Sequence, residues 1–361
     1  MSKRVLIGMS GGIDSTVAAI LLQEQGYELV GATFRTFDNV KDANLSNTKG
    51  CCSEDSITEA QKMAQFLGIE HHVLDFRDTF HQYVISNFVN EYAQGRTPNP
   101  CVMCNSHIKW GKLLDAADAY GCDYVATGHY AQIAEHRGHL YLKNAVDTVK
   151  DQTYFLWMLT EDNLRRTIFP LGGLTKTQVR QIALEHGHET LSKKAESQDI
   201  CFIPNNDYRT FLSEQGLHIE PGSYIDNTGK VLGTHCGFCN YTIGQRKGLG
   251  IALGSPKHVL KIDAQTNTVV LGDHDDLYTC DVQTCDIRVR DMQWLVESPQ
   301  VAARIRYKSP AIPATIQISP LNLRQFPTAN LHFEQPVWGV TPGQSLVIYK
   351  DGLLVGGGII Q

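Results

Sequence analysis

The residues with most to offer chemically are ten cysteines and one glycine pair set among serines and an aspartate. The cysteines stand at 51, 52, 101, 104, 122, 201, 236, 239, 280 and 285. Cys101 and Cys104 form a CxxC within "GRTPNPCVMCNSHIKWGKLL" (95–114), and Cys236 and Cys239 form a second in "HCGFCN" (235–240). Such pairs serve redox or metal chemistry, because the thiolate is both nucleophile and ligand. A lone thiol of this kind also packs as a small apolar residue. Near the N-terminus, "VLIGMSGGIDSTVAAILL" (5–22) sets Ser10, Gly11, Gly12, Asp14 and Ser15 between an apolar run and an amphipathic helix. Two glycines let backbone approach a phosphate, and a helix start offers N–H groups and the positive end of its dipole. The same stretch also reads as an ordinary strand–turn–helix joint with a serine cap.

The two prolines of "TPNP" stop the preceding helix and force an extended loop. Cys104 is thereby expected at or near the start of the next helix, where the dipole favours thiolate. Cys201 lies in "KKAESQDICFIP" (193–204), at a loop end between polar residues and "FIP". Cys236, Cys239, Cys280 and Cys285 form a candidate four-thiolate zinc set, against the alternative that Cys280 simply packs. Cys51 and Cys52 are expected in a helix-entry loop over the site.

These groups need a frame. Strand-like segments at 4–8, 28–34, 71–75 and 123–127 alternate with helix-like segments at 15–25, 53–67, 78–93 and 105–119. That alternation predicts an α/β fold, a doubly wound parallel sheet that binds ligands beyond the carboxyl ends of its strands. Residues 8–15 end the first strand and "ATGHY" (126–130) ends a later one, so both are expected to open onto one crevice. From about 256 onward short alternating strands, as in "HVLKIDAQTNTVVLGD", "ARIRYKSPAIPATIQIS" and "QSLVIYKDGLLVGGGII", predict a small antiparallel β-barrel. The expected division is a catalytic domain at 1–205, a small central connecting domain at 206–275 and the barrel at 276–361.

A net charge of −6 over 361 residues excludes a protein-wide field for polyanions, so a nucleic-acid partner must be met by local clusters. One is "ARIRYKS", with Arg304, Arg306 and Lys308 on one side of a strand and Tyr307 on the other; "GQRKG" (244–248) is another. No apolar run approaches the roughly 18 residues of a membrane span. The apolar run after MSKR is too short for a signal peptide. A cytoplasmic chain without a membrane partner is expected, with its cysteines as thiols and not a disulfide framework.

Ser10, Gly11, Gly12, Asp14 and Ser15 resemble the PP-loop of the ATP pyrophosphatases at every fixed position. With "GRTPNPxxxCN", "ATGHY", "KDQTYFLW", "xxICFIP", "TIGQRKGLG", "TPGQSLVIY" and the final "GGGII", the chain closely resembles the bacterial and mitochondrial tRNA 2-thiouridylases almost end to end. The resemblance implies cleavage of ATP between its α and β phosphates, with Mg²⁺ and with Asp14 as a suspected ligand. Gly8, Met9, Ser10, Gly11, Gly12, Ile13, Asp14 and Ser15 would bind ATP, together with Gly128 and with Phe34, where the family commonly has Met. ATP would adenylate O2 of the wobble uridine in tRNAs for Lys, Glu and Gln. Sulfur would pass from a persulfide on Cys201 to C2, and AMP would leave. Cys104 would release hydrosulfide or take Cys201 into a disulfide, which an external reductant resets; a sulfur relay or cysteine desulfurase would be the donor.

Asn99, Pro100 and Cys101 match the loop around the flipped target base, with Cys101 where Asp usually stands. His129, Lys150, Asp151, Gln152, Arg306, Tyr307 and Gln344 match tRNA contacts. One alternative route places a [4Fe–4S] cluster on Cys101, Cys104 and Cys201, its open iron carrying the sulfur. Rival functions are a PP-loop ligase for a small molecule, which needs no cysteine pair, and a non-catalytic RNA binder, which needs no intact SGGxDS.

Overall fold

Val5, Leu6 and Ile7 are fully buried, and this run forms β1 (Arg4–Gly8), the middle strand of a parallel sheet. The computed structural model describes residues 3–37, 54–192, 200–203, 206–319 and 327–361, so Cys51, Cys52, and residues 193–199 and Pro204 of the 193–204 segment lie outside the described residues. β1 is followed by α1 (Ile13–Glu24), β2 (Glu28–Arg35), α2 (Glu54–Leu67) and β3 (Glu70–Asp75). Then come α3 (77–85), α4 (100–119), β4 (Tyr124–Ala126), the hairpin β5 (Gln132–His136) and β6 (His139–Lys143), α5 (Glu161–Arg165), β7 (Thr167–Ile168) and α6 (Lys176–Glu185). The sheet order is β3-β2-β1-β4-β7, all parallel. The order reverses between β1 and β4, which is where such a sheet opens its ligand crevice. Val17, Ala18, Ala19 and Leu22 of α1 join Val5 and Ile7 in the core, with Ala60 and Ala64 of α2 packed in the same cluster.

The chain divides into two compact units. The first holds Met1–Ile85, Pro100–Asn206 and Asp351–Leu354, and the second Ser86–Asn99, Asp207–Lys350 and Val355–Gln361. In the second, β8 (Gly222–Ile225), β9 (Val231–His235), β10 (His258–Asp263) and β11 (Thr268–Gly272) form a four-stranded sheet in the order β10-β11-β8-β9. The 258–273 stretch, whose alternation reads like the barrel strands although the expected division sets it in the central 206–275 segment, belongs to this smaller sheet, because β11 pairs in parallel with β8. Alternation signals a strand but not its sheet. The barrel follows as β12 (Tyr278–Val289), β13 (Gln300–Arg304), β14 (Ile312–Ser319), β15 (Thr328–Trp338), β16 (Ser345–Lys350) and β17 (Leu353–Ile360). Among the described residues these six run β12-β15-β14-β13-β16-β17, and β12–β17 pairing closes the ring.

Two local expectations change. The helix expected at 105–119 begins five residues earlier, at Pro100. Proline fits the first helical position, where no N–H is needed, so "TPNP" both ends one helix and starts the next. "ARIRYKS" is not one strand: β13 stops at Arg304, and Arg306 and Ser309 close a turn through Ser309 N–H to the Arg306 carbonyl (3.1 Å) and Arg306 N–H to Ser309 Oγ (3.2 Å). Among the described residues no helix is long and apolar enough to cross a membrane.

Candidate functional site

The glycine pair forms the turn from β1 into α1. Gly12 is the N-cap of α1 and supplies no side-chain cap, so the first-turn N–H groups keep their capacity for an external acceptor. Ser15 Oγ accepts from Ser10 N–H (3.2 Å) and donates to the Gly12 carbonyl (3.1 Å), which folds the loop into a fixed cradle. Gly11 adopts φ +66°, and a Cβ there would lie 2.8 Å from both Glu59 Cβ and the Ser56 carbonyl oxygen of α2. Gly128 presses on the same loop: its Cβ would fall 2.9 Å from Ser15 N. The Phe34 ring lies against Gly8, 3.4 Å from where a Cβ would be. The fold thus brings Gly8–Ser15, Phe34 and Gly128 together at the carboxyl ends of β1, β2 and β4. Gly11→Ala adds left-handed strain of about 1–3 kcal/mol to the clash. It is expected to lower the unfolding midpoint by about 5 °C, checked by calorimetry, and to weaken ATP binding about tenfold or more, checked by titration.

Asp14, in the first turn of α1, is not idle. Its carboxylate accepts from Tyr130 Oη (2.8 Å, Oδ1) and from Lys176 Nζ at both oxygens (2.7 and 2.9 Å). Lys176 opens α6 after a Thr175–Gln178 capping box, and only 10% of its side chain is exposed. Its ammonium is thus a nearly buried positive charge beside an anion cradle. Tyr130 is the last residue of "ATGHY", but Lys176 stands 162 positions from Asp14 and was not signalled by any local pattern. With its oxygens engaged by an ammonium and a phenol, Asp14 does not fit as a Mg²⁺ ligand in this arrangement.

Cys104 lies one turn inside α4, and Cys101, which is exposed, takes the helix start instead. The dipole acts mainly within the first turn, so the helix-start argument applies to Cys101 and is weaker for half-buried Cys104. Immediately after Cys104 the helix is π-wound over Asn105–Lys112, a distortion frequent at functional sites. Buried Asn105 fixes the helix's rotation by donating to the Phe155 carbonyl (3.0 Å), and Trp110 Nε1 donates to Thr167 Oγ1 (2.7 Å). Cys201 is half-buried next to buried Phe202. Phe202 meets Phe80 edge-on at 5.6 Å, and one turn along α3 Tyr83 stacks on His107 of α4 at 4.4 Å. One short helix therefore carries, a turn apart, the anchor beside Cys201 and a contact to the helix that bears Cys104.

The residues matched to tRNA contacts fall into two groups. His129 is buried, its ring nitrogens at 2.7 Å from Thr127 Oγ1 and 3.3 Å from Lys109 Nζ. Burial, then the Lys109 charge, hold its pKa well below the usual histidine value, so the ring is neutral. Half-buried Lys109, five residues after Cys104, is a cation that sequence reading passed over. Asp151 is buried and accepts from Ala145 N–H (2.8 Å) and Thr153 Oγ1 (2.6 Å), while Gln152 accepts from Tyr130 N–H (3.0 Å). These side chains brace "KDQTYFLW" against "ATGHY"; Lys150 and Gln152 are half-buried and Asp151 is buried. In the second unit Arg306 lies over the Trp338 ring (5.3 Å) and donates to Thr341 Oγ1 (2.9 Å), with Tyr307 next to it in the turn. Gln344 donates to the Thr97 and Pro98 carbonyls.

Among the described residues no three His, Cys, Asp or Glu side chains converge to hold a metal ion. The iron–sulfur alternative on Cys101, Cys104 and Cys201 therefore has no support. The zinc set fails on the same ground: Cys236 is exposed and Cys239 buried, while Cys280 and Cys285 lie five residues apart along β12. Burial raises the Cys239 thiol's pKa, which disfavours thiolate.

Three family models match consecutive parts of the chain: a tRNA methyl transferase HUP domain over residues 3–205, a tRNA methyl transferase PRC-barrel domain over 209–273, and an aminomethyltransferase beta-barrel domain over 284–360. A relative from Natranaerobius thermophilus named tRNA-specific 2-thiouridylase MnmA is 45% identical, over 100% of this chain and 98% of its own. Relatives of the same name from Clostridium perfringens and Desulfitobacterium hafniense are 46% and 43% identical, each over 99% of this chain and 98% of their own. Among solved structures, an NH3-dependent NAD synthetase from Campylobacter jejuni aligns at 16% identity over 60% of this chain and 76% of that one, with a TM-score of 0.35. By likeness over its whole length, the chain belongs to the tRNA-specific 2-thiouridylase family.

Proposed function

We propose that the protein is the ATP-dependent sulfurtransferase that converts the wobble uridine of tRNA to 2-thiouridine. The observation that carries this reading is the conjunction, in one unit, of a PP-loop cradle with Cys104 and Cys201 on elements bridged by α3. Uridine O2 attacks the α-phosphate of ATP, and pyrophosphate leaves. The cradle of Gly8–Ser15 with Gly128 holds the nucleotide, and Lys176 stabilises phosphate charge while orienting Asp14. Mg²⁺ enters with the nucleotide as part of the substrate.

The adenylated C2 is then open to sulfur. The terminal sulfur of a Cys201 persulfide bonds to C2. Cys104 thiolate attacks Sγ of Cys201, the Cys201–sulfur bond breaks, and a Cys104–Cys201 disulfide remains as AMP departs. An external dithiol returns two electrons to reset the pair. Asn99, Pro100 and Cys101 border the extruded base, a mode suited to a base in a single-stranded loop. Residues 1–205 carry the chemistry, 206–275 connect, and 276–361 meet RNA. The sulfur donor is a persulfide carrier or cysteine desulfurase, and the setting is cytoplasmic. A small-molecule ligase would have no use for the cysteine pair.

The reading is tested by nucleoside mass spectrometry of tRNAs for Lys, Glu and Gln incubated with the protein, ATP, Mg²⁺, a persulfide donor (a cysteine desulfurase with cysteine) and a dithiol reductant. It predicts 2-thiouridine at the wobble position, dependent on ATP. Sulfur at another position, or product without ATP, contradicts it.

A further inference from the structure

Two turns, both within the second unit, grip each other. Thr97 N–H donates to the Pro342 carbonyl (2.8 Å), and Gln344 Nε2 donates to the carbonyls of Thr97 (2.9 Å) and Pro98 (3.0 Å). Gly343 adopts φ +88°, and a Cβ there would sit 2.9 Å from the Thr97 carbonyl oxygen and 3.0 Å from Glu91 Oε2. The gripping turn is itself pinned: Gly343 N–H donates to the Ile360 carbonyl (2.9 Å), and Ile360 N–H donates to the Gln344 carbonyl (2.8 Å). On the other side, Arg96 Nε pairs with Glu91 (2.7 Å) and fixes the approach to the loop. A primary amide has two N–H donors, and here both face main-chain carbonyls.

We infer that Gln344 is a positioning residue for the target-base loop: its amide clamps Thr97 and Pro98 and thereby sets Asn99. The inference rests on the reading that 99–101 borders the extruded uridine. Pro98 stiffens the segment, so displacement at 97–98 passes directly to Asn99. The "TPGQ" turn and the "GRTPN" loop are thus two halves of one device. A donor to solvent or to RNA would leave the carbonyls of 97 and 98 without this partner.

The test is single-turnover thiolation, with a separate tRNA binding measurement, on Gln344→Leu and Gln344→Glu. Leucine removes both donors, and glutamate turns oxygens toward two carbonyls. Misplacing a reacting group by about 1 Å costs on the order of 10²-fold in rate. The expected result is a rate at saturating tRNA lowered about tenfold to a hundredfold, more in Gln344→Glu, with tRNA affinity within about twofold of the parent. Amide hydrogen exchange at Thr97 and Asn99 is expected to quicken in both variants, a readout available even if activity is lost. Weakened tRNA binding with an unchanged saturated rate would overturn the inference and make Gln344 a direct contact. An unchanged rate with unchanged exchange would overturn it too. Absence of 2-thiouridine with the parent protein would instead overturn the reading on which it rests.

Discussion

Cys104→Ser and Cys201→Ser are each expected to abolish tRNA thiolation, by on the order of 10³-fold or more, while tRNA-dependent pyrophosphate release persists. The reason lies in the separation of tasks within the first unit. On the function proposed above, ATP activation depends on the SGGIDS turn, Gly128 and Lys176, none of which involves a thiol. Sulfur transfer requires Sγ at both positions, since a hydroxyl neither carries a persulfide nor attacks sulfur at neutral pH. The two variants differ in what they accumulate. Cys104→Ser retains the carrier, so intact-protein mass spectrometry after exposure to a persulfide donor is expected to show one added sulfur. Cys201→Ser is expected to show none on that site. Normal thiolation by either variant would remove the persulfide scheme.

Lys176→Met is expected to lower the ATP-dependent step by about 10²–10³-fold, the usual cost of deleting one group aimed at developing charge. Methionine keeps the length of the stem and fills the same nearly enclosed space, so the fold survives. What is lost is a positive charge held at 2.7 Å from Asp14 and facing the phosphate cradle. The partner's removal acts differently. Asp14→Ala removes the carboxylate paired with that ammonium in a largely buried place, which costs about 3 kcal/mol of stability as well as activity. Pyrophosphate release at saturating tRNA, measured beside the unfolding midpoint, separates the two. A Lys176→Met protein with parental ATP turnover would deny the lysine its role.

Much of the frame was legible because its signals are local. The apolar runs at Val5–Ile7 and Leu29–Ala32 mark buried parallel strands, and Ala60 and Ala64 mark the inner face of α2. The cradle was legible for the same reason: six consecutive residues carry it. Pro100 misled because a proline breaks the helix before it yet suits the first position of the helix after it, which moves Cys104 a turn inward. The turn at 305–309 misled because alternation of Arg and Tyr continues past the point where the ladder stops. Lys176 was invisible because its partner lies across the sheet, and only tertiary packing joins them. His129, Asp151 and Gln152 are identified by motif as polar positions, but their direction is not encoded in the motif. Burial turns His129 and Asp151 inward, and the Gln152 amide oxygen accepts from Tyr130 N–H, so all three hold neighbouring loops.

The central claim is that Cys104 and Cys201 meet during sulfur transfer. Its most direct test is peptide mapping of the protein quenched with a thiol-blocking reagent after one turnover, with Cys201 preloaded as persulfide, ATP, Mg²⁺ and tRNA present, and reductant withheld. A Cys104–Cys201 disulfide is predicted in amounts matching the 2-thiouridine formed, and absent when ATP or tRNA is omitted. Stoichiometric product with both cysteines recovered as separately blocked thiols would contradict the account.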